Sequence, residues 1–509
     1  MILKDVSVGS IDAKNEIINH DEDVFMESFI QLDNINIEDF CNGRKYYITG
    51  MKGTGKTALL RYISILFNEE GYFSEFFLFK SELGRDQLDE LNNLAYQISH
   101  QEANNVDNFI YVWRWFLLKR IYDIIEKRNV VERNEFWWKF KEIIHTPASK
   151  KGIKSIFPIL KNGNIKIEGC LPSFIKAYFS ADIKGKDEKF ISFRIIVEEA
   201  IDLLTKLKIN DNKRIFIFLD ELDISLKSKK DFKKDSEIVR DLIITVNYMN
   251  NLFRENGLEI FLIAAIRSEV LTNVYTIGEE INKIISDFGS KLRWDYPSEN
   301  TPLLEHPLLK IITRRFQFSE KKVERISSSD EEIWKKYFPL KIDRKSIQSY
   351  LLNRTWFKPR DIIRILKVLK EGYPNTRRVE QYQLENTMKE YSIESWNELK
   401  EELTVRYTAN EIKCIEEILT SIPKSFSLDN IRGKIESLKH DNSDMERFIK
   451  TQSDISNMLS TLYKIGIIGN CTEHNGRKIL RFAHRGDDNL NLQMDMLVHY
   501  SLRPKFSIT

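Results

Sequence analysis

A glycine- and lysine-containing turn between a strand pattern and a helix pattern constrains the fold of this chain more than any other feature. Residues 45–49 read Lys-Tyr-Tyr-Ile-Thr and predict a β-strand. Residues 57–67 place apolar side chains on one helical face, at Leu59, Leu60, Ile63 and Phe67. The segment between them, Gly50 to Thr57, matches G-x-x-x-x-G-K-[ST] completely. A chance glycine-rich turn would not need this strand and helix, so the segment predicts a phosphate-binding loop.

Each residue type in the loop has a chemical reason to be there. Glycine lets the backbone turn its N–H groups toward phosphate oxygens, and the helix N-terminus adds a partial positive charge. Lys56 is expected to reach the β- and γ-phosphates, and Thr57 to offer its hydroxyl to Mg²⁺. We expect ATP and Mg²⁺ as ligands, although the pattern also permits GTP. The expected nucleotide-binding residues of the loop are Gly50, Met51, Lys52, Gly53, Thr54, Gly55, Lys56, Thr57 and Ala58.

A second strand pattern ends in two carboxylates. Residues 215–219 are apolar at every position, which is typical of a strand covered on both faces of a parallel sheet. Asp220 and Glu221 follow. Asp220 is expected to hold Mg²⁺ through water, together with Thr57, and Glu221 to polarise an attacking water molecule. An ordinary acidic strand end is the alternative, and the complete phosphate loop elsewhere in the chain argues against it.

A third strand pattern, in residues 258–271, ends its apolar run at Arg267. The carboxyl ends of strands in a doubly wound sheet face the ligand crevice, so Arg267 should lie on the same edge as Gly50 and Asp220. A cation there would sense the γ-phosphate or stabilise charge during its transfer. The alternative is a surface arginine just past a strand. The candidate catalytic residues are therefore Asp220, Glu221 and Arg267.

Composition excludes several other classes of protein. Lys and Arg total 78 against 76 Asp and Glu, so a chain that simply coats nucleic acid is not expected. The cysteines at positions 41, 170, 414 and 471 have no metal-ligand spacing and suggest reduced thiols. The N-terminus does not resemble a secretory signal, and no apolar run approaches the roughly 18 residues of a membrane span. We therefore expect a cytoplasmic protein without membrane contact.

These motifs together resemble the AAA+/STAND branch of P-loop ATPases, whose additional strand is expected at residues 71–80. The ending Ala-Ala-Ile-Arg-Ser around Arg267 resembles the sensor-one arginine of STAND ATPases. Residues 353–367, which contain Pro359-Arg360-Asp361, are similar to the sensor-two helix start of origin-recognition-type initiator ATPases. The motifs are also similar to those of poorly characterised bacterial stand-alone P-loop ATPases. By this resemblance Arg360 would reach the nucleotide from a helical lid.

The resemblance implies an α/β fold with a P-loop NTPase parallel sheet, a large helical insertion, a helical lid and a C-terminal winged helix. The expected domains are 1–300, with the insertion at about 105–210, then 301–404 and 405–509. Trp113, Trp115, Trp137 and Trp138 in the insertion are expected in a core or subunit interface rather than as a base-stacking platform. Arg314 and Arg315 are candidates for an arginine finger, although the pattern favours an ordinary basic helix end.

Three amphipathic helices and a hairpin pattern around Asn475-Gly476 predict the winged helix. Residues 409–509 carry 14 Lys and Arg against 13 Asp and Glu, a weak charge for a strong phosphate binder. DNA contact and protein contact both stay open. The expected function is an ATP-driven switch in signalling or antiphage defence that forms a homo-oligomer or acts on a separate protein effector. The alternatives are an initiator-like DNA-binding ATPase and a non-hydrolysing nucleotide-binding scaffold, the latter disfavoured by Glu221.

Overall fold

The computed structural model describes residues 1–18, 22–82, 85–99, 109–145, 160–161, 164–166, 190–210, 213–222, 229–275, 277, 280–295, 302–440, 442–474, 477–487 and 489–508. The described chain is a mixed α/β protein that divides into two compact units. We call residues 33–52 and 56–292 the sheet unit, and residues 1–32, 53–55 and 293–509 the helical unit.

The sheet unit holds eight described strands. They are β1 (Tyr47–Gly50), β2 (Phe73–Leu78), β3 (Leu160–Lys161), β4 (Asn164–Lys166), β5 (Phe190–Ser192), β6 (Ile215–Asp220), β7 (Ile260–Arg267) and β8 (Gly289–Lys291). Its described helices are Ile37–Cys41, Lys56–Glu69, Phe79–Glu82, Arg85–Ser99, Ile110–Arg128, Glu135–Ile144, Phe193–Thr205, Lys229–Glu255, Ser268–Val274 and Ile281–Phe288.

The central sheet has five parallel strands in the order β2-β6-β7-β1-β8. Gly50 at the end of β1 is in register with Arg267 at the end of β7. Asp220, the last residue of β6, is in register with Leu78 of β2. The carboxyl ends of the strands therefore bring Gly50, Asp220 and Arg267 to one edge of the sheet, as the sequence predicts.

Helices cover both faces of this sheet. Phe76 and Phe77 of β2 point to opposite faces because successive side chains of a strand alternate. The guanidinium of Arg61, on the helix Lys56–Glu69, lies 3.6 Å from the Phe76 ring centroid. On the other face, Phe116 of the helix Ile110–Arg128 lies 4.5 Å from Phe77, measured between ring centroids. Every residue of β6 is buried, as expected for a strand inside a two-sided sandwich of helices.

The strand order creates a switch point beside β1. The connection after β1 leads to β2, the outermost strand on one side of the sheet. The connection after β7 leads to β8, the outermost strand on the other side. Crossover connections between parallel strands are almost always right-handed, so the helices after β1 and after β7 lie on opposite faces. Adjacent strands whose connections diverge in this way leave a crevice at their carboxyl ends, where ligands of open α/β sheets bind.

The segment predicted as an insertion forms helices in its described parts. The helix Phe193–Thr205 packs against both Ile110–Arg128 and Glu135–Ile144. Trp113, Trp115 and Trp137 are buried, whereas Trp138 is 52% exposed. Of the two predicted roles, core or subunit interface, three of these tryptophans have the core role, and Trp138 lies at the surface of the chain. The small sheet β3-β4-β5 also belongs to this segment.

The helical unit is built mainly from helices after residue 306. Its α-helices are Ala13–Ile18, Glu22–Ser28, Pro307–Val323, Asp330–Tyr337, Ile347–Leu352, Pro359–Gly372, Gln381–Leu403, Ala409–Leu419, Leu428–Lys439, Ser443–Phe448 and Gln452–Ile465. Its 3₁₀ helices are Leu3–Asp5, Leu303–Glu305 and Ala483–Arg485, and its strands are β9 (Lys341–Ile342), β10 (Lys345–Ser346), β11 (Ile468–His474), β12 (Arg477–Arg481) and β13 (Asp495–Val498).

The last hundred residues contain the three helices and the hairpin strands that their sequence predicts. Gly466, with φ of +84°, ends the helix Gln452–Ile465, and only glycine adopts this conformation without strain. β11 pairs antiparallel with both β12 and β13. Asn475 and Gly476, the predicted turn, lie outside the described residues. The short helix Ser443–Phe448 was not predicted, and Asn442 caps it by accepting the Asp444 N–H.

Two sequence-level expectations concern disulfides and membrane spans. Cys41, Cys414 and Cys471 are free thiols, while Cys170 lies outside the described residues. Among the helices that the structure describes, none combines the length and the apolar character that crossing a bilayer requires.

Candidate functional site

The loop after β1 carries the conformation that its glycines allow. β1 ends at Gly50 and the next helix begins at Lys56, so the loop connects a buried strand directly to a helix N-terminus. Gly53 has φ of +84° and Gly55 has φ of +91°. Residues with a side chain are strained in this region, which explains glycine at both positions. The backbone is therefore turned as an anion-binding loop would need.

Lys56 is buried at the start of the helix and points back over the loop. Its Nζ donates hydrogen bonds to the carbonyl oxygens of Gly50, at 2.8 Å, and Met51, at 2.9 Å. Only 8% of its surface is exposed, which is rare for a lysine without a functional or ionic role. These contacts hold the ammonium group beside the loop, where it can stabilise an anion.

Asp220 is a buried carboxylate at the end of β6. Its Oδ1 accepts the Glu221 N–H at 2.8 Å. Its Oδ2 is buried and has no standard hydrogen-bond partner among the described residues. Burial raises the pKa of the Asp220 carboxyl, while the Thr57 hydroxyl, the Glu221 N–H and the Lys56 ammonium act in the opposite direction. An unsatisfied buried carboxylate oxygen beside a hydroxyl is chemically suited to a hard cation such as Mg²⁺.

Glu221 holds a strained backbone conformation immediately after β6. Its φ is +57°, a value uncommon for any residue other than glycine and costing on the order of 1–2 kcal/mol. Ser81, on the helix after β2, donates its hydroxyl to Glu221 Oε2 at 2.6 Å. Strain of this kind is often retained where a side chain must be aimed in a particular direction. Here it places a carboxylate at the same sheet edge as Asp220.

Arg267 ends β7 next to Gly50 and has a half-buried side chain. It is also the residue before the helix Ser268–Val274, whose first turn contains Glu269. The Glu269 carboxylate accepts the Lys52 N–H at 3.3 Å. The sheet edge thus carries two cationic side chains, Lys56 and Arg267, and the carboxylates of Asp220 and Glu221.

Three loop residues, Gly53 to Gly55, belong to the helical unit. Within that unit, the Arg360 N–H approaches the Gly53 carbonyl oxygen at 3.5 Å, and an added Cβ on Gly53 would lie 3.4 Å from Arg360 Cβ. Trp294 Nε1 donates to the Thr54 carbonyl at 2.8 Å. Arg360 begins the helix Pro359–Gly372, in which proline occupies the first turn as predicted.

The Arg360 side chain is paired inside the helical unit. Its Nη1 donates to Glu398 Oε1 at 2.9 Å, and Arg364 donates to the other oxygen of Glu398. Burial alone would raise the pKa of Glu398, but the adjacent Arg364 and Arg360 lower it to about 2. Glu398 therefore orients the arginine that the sequence associates with nucleotide sensing.

Replacement of Glu398 by glutamine should reveal this ion pairing as a pH-dependent stability. Because the folded-state pKa is depressed, the carboxylate stabilises the fold above its unfolded pKa of 4.5, and this stability is lost as pH falls toward 2. At neutral pH, the free energy of unfolding of the parent should exceed that of Glu398→Gln by about 3 kcal/mol. Urea unfolding of both proteins from pH 7 to pH 3 measures the difference, and a difference independent of pH would contradict the pairing.

The two candidates for an arginine finger, Arg314 and Arg315, have different surroundings. Arg315 is buried and donates to Glu16 Oε1 at 2.6 Å within the helical unit. Arg315 is therefore a structural residue in the middle of the helix Pro307–Val323, whereas the sequence pattern favours a basic helix end. Arg314 is exposed and donates to Gln317 on its own helix, at 3.3 Å.

Sequence reasoning missed the residues that support the site from elsewhere in the chain. Ser81, Glu269, Trp294 and Glu398 contact predicted site residues, but none belongs to a recognisable motif. Glu269 alone had an available signal, because it follows Arg267 by two residues at a strand end. The other three residues meet their partners only in the folded chain, because those partners are distant in the sequence.

Comparison with known families gives one match. Residues 306–400 match the family described as FunZ-associated C-terminal helical domain. This segment covers the described helices from Pro307–Val323 through most of Gln381–Leu403 and includes Arg360, Arg364 and Glu398. A comparison with curated proteins found no match.

Proposed function

We propose that the protein is an ATP-binding and ATP-hydrolysing molecular switch whose sheet unit is a P-loop NTPase domain. The observation that carries the proposal is the placement of a complete G-x-x-x-x-G-K-T loop between β1 and a helix N-terminus, at the switch point of a parallel sheet. Lys56 and the neighbouring backbone would hold the phosphates. The loop residues from Gly50 to Ala58 form the proposed nucleotide-binding set.

Thr57 and Asp220 are the residues that would hold Mg²⁺. Asp220 Oδ2, which is buried and has no standard hydrogen-bond partner among the described residues, fits a hard divalent cation. The Thr57 hydroxyl lowers the pKa of the same carboxyl and so favours its ionised form. Bound Mg²⁺ would neutralise charge on the β- and γ-phosphates. Its positive charge would also favour the ionised form of Asp220 over the protonated form that burial favours.

Glu221 and Arg267 are proposed to act on the γ-phosphate. Glu221 would orient and polarise the attacking water through its carboxylate, which follows directly after Asp220 at the end of β6. Arg267, beside Gly50, would stabilise charge that develops during phosphoryl transfer. The place of each residue at a strand end supports these roles, and so does the order of the motifs along the chain.

Arg360 is proposed to sense the nucleotide from a helical lid, residues 301–404. The contact between its backbone and Gly53 supports this, as does its pairing with Glu398, which fixes the guanidinium. ATP can shift a conformational equilibrium only if it binds one state better than ADP does, and a γ-phosphate contact supplies such a difference. The proposed outcome is a change in shape or assembly, coupled to a separate protein effector in signalling or antiphage defence.

Residues 405–509 are proposed to form a winged-helix module that contacts protein rather than DNA. Asp454 lies in the first turn of the helix that would enter a DNA groove, and its carboxylate accepts the Thr451 N–H at 2.8 Å. A fixed negative charge at that helix start would oppose phosphate contact. The near-balanced charge of this segment favours a protein surface for the same reason.

Replacing Arg360 with alanine should uncouple ATP binding from the switch. In the parent, we expect a non-hydrolysable ATP analogue to change the mass or hydrodynamic size relative to ADP. In Arg360→Ala this preference should fall by roughly ten- to a hundredfold, because a charge-assisted phosphate contact is lost, while ADP affinity is nearly unchanged. Light scattering of each protein with each nucleotide measures the effect.

Lys367→Ala is the matched control for this experiment. Lys367 lies on the same helix, is 47% exposed and pairs only at the surface with Glu371 at 3.8 Å. This variant should respond to the ATP analogue as the parent does. If Arg360→Ala also responds like the parent, the sensing role of Arg360 is wrong.

A further inference from the structure

A cavity of about 420 Å³ lies within the helical unit and shares no residue with the candidate nucleotide site. Its wall is formed by three separate parts of the chain, residues 343–354, residue 424 and residues 500–508. This volume lies within the range of pockets that bind small organic ligands. The cavity is therefore large enough for a compact ligand and too small for a folded partner.

The wall of the cavity is strongly cationic. Lys345, Arg354, Lys424 and Arg503 line it, against a single carboxylate, Asp343. Within the described ranges, none of these four cations forms an ion pair with a carboxylate. Positive charges gathered around a concave surface raise the local concentration of anions. The formal excess of positive charge fits a ligand with two or more negative charges.

Two tyrosines fix the arginines in place without neutralising them. The Arg354 guanidinium lies 3.5 Å from the Tyr350 ring centroid, and its Nη1 donates to the Tyr350 carbonyl at 3.3 Å. The Arg503 guanidinium lies 4.1 Å from the Tyr500 ring centroid. Arg503 also donates from Nε to the Val498 carbonyl at 3.4 Å and from Nη2 to the Lys424 carbonyl at 3.5 Å. A guanidinium has five N–H donors, so each arginine retains at least three for another acceptor. The arginines are thus oriented before any ligand arrives.

Burial destabilises the charged forms of Arg354 and Arg503, and a bound anion would offset this effect. Burial lowers the pKa of Arg354 and of Arg503, and the positive charge of Arg354 lowers the pKa of Arg503 further. Two like charges facing one cavity repel each other more strongly than they would in bulk water. A bound polyanion would offset both the repulsion and the lost hydration.

We propose that this cavity is a binding site for a small phosphate-bearing ligand of about nucleotide size. Arginine forks match the oxygens of a phosphate in a bidentate manner, and the two lysines add point charges at the rim. A monocarboxylate would leave most of the positive charge unbalanced. The site would give the helical unit a ligand of its own, separate from ATP at the Gly50–Thr57 loop.

The test is calorimetric titration of the full chain carrying Lys56→Ala, so that the loop does not contribute. The probes are inorganic pyrophosphate, adenosine monophosphate and, as a phosphate-free comparison, adenosine. We expect one pyrophosphate per chain, binding that weakens as salt is added, and no binding of adenosine. Binding of adenosine monophosphate would identify a nucleotide site, whereas binding of pyrophosphate alone would identify a site for the phosphate groups only.

Variants of the cavity wall test whether the measured binding occurs in this cavity. Arg354→Gln and Arg503→Gln should each weaken pyrophosphate binding by about ten- to a hundredfold. Because either change could disturb the fold, Lys345→Gln combined with Lys424→Gln provides a second test at exposed positions, with a smaller loss expected. Lys341→Gln is the matched control, since Lys341 lies on the paired strand β9 but not on the cavity wall.

Two results would overturn the proposal. One is the absence of binding by pyrophosphate and adenosine monophosphate to the Lys56→Ala chain. The other is an unchanged affinity, in which the arginine variants and the double lysine variant bind pyrophosphate as tightly as Lys341→Gln does. Neither result depends on whether the Gly50–Thr57 loop binds ATP, because the loop lysine is already removed.

Discussion

Lys56→Ala is expected to weaken ATP binding by roughly a hundredfold or more. The ammonium group would contact the two outer phosphates, and each charge-assisted hydrogen bond contributes about 1.5–3 kcal/mol. Lys56 is buried and held over the loop by the Gly50 and Met51 carbonyls, so its ammonium group is already positioned beside the loop backbone. Equilibrium titration with ATP in the presence of Mg²⁺ measures the loss.

The Lys56 experiment needs controls for charge and for folding. Lys45→Ala removes a lysine at the amino end of the same strand, where its Nζ donates to the Asp287 carbonyl at 2.7 Å, and should bind ATP like the parent. Lys56→Met keeps an apolar stem in the buried position and should lose as much affinity as alanine. If Lys56→Met binds ATP like the parent, Lys56 does not contact the phosphates.

Glu221→Gln is expected to slow ATP hydrolysis by about 10²–10⁴-fold, the usual contribution of a general base. Glutamine keeps the shape of the side chain and can still accept the Ser81 hydroxyl, so ATP binding should persist. The expected state is a chain that holds ATP without turning it over. Single-turnover hydrolysis and a parallel titration with ATP separate the chemical step from binding.

Glu259→Gln serves as the control for this change. Glu259 lies just before β7, at the opposite end of the sheet, and pairs with Arg214 at 2.8 Å. Its replacement should leave the rate of hydrolysis near that of the parent. If Glu221→Gln loses ATP binding as completely as Lys56→Ala, then Glu221 has a structural role rather than a catalytic one.

Much of the sheet could be predicted because its signals are local. The apolar run 215–219 and the run 260–266 became β6 and β7, and the predicted strand at residues 71–80 became β2. Glycine spacing predicted a turned loop, and Gly53 and Gly55 both have positive φ. These features depend on neighbours within a few residues, which a sequence shows directly.

Contacts between distant parts of the chain could not be predicted in the same way. Glu398 pairs with Arg360 from another helix, and its position carries no signal that distinguishes it from the other glutamates of the helix Gln381–Leu403. The strained φ of Glu221 is equally hidden, because the sequence offers no glycine or asparagine there. The cationic cavity joins three segments whose charges look unremarkable along the chain.

The contacts of the middle residues of the loop could not be predicted either. Trp294 donates its indole N–H to the Thr54 carbonyl, and the Arg360 N–H approaches the Gly53 carbonyl. Such contacts depend on residues more than two hundred positions away.

The most direct test of the proposed ATPase is Mg²⁺-dependent release of phosphate from ATP by the purified chain. We expect the unaltered chain to release phosphate, and chelation of Mg²⁺, Lys56→Ala and Glu221→Gln each to abolish or strongly reduce that release, while Lys45→Ala does not. Phosphate release at the parent rate by Lys56→Ala would contradict the account, as would the absence of any release by the unaltered chain.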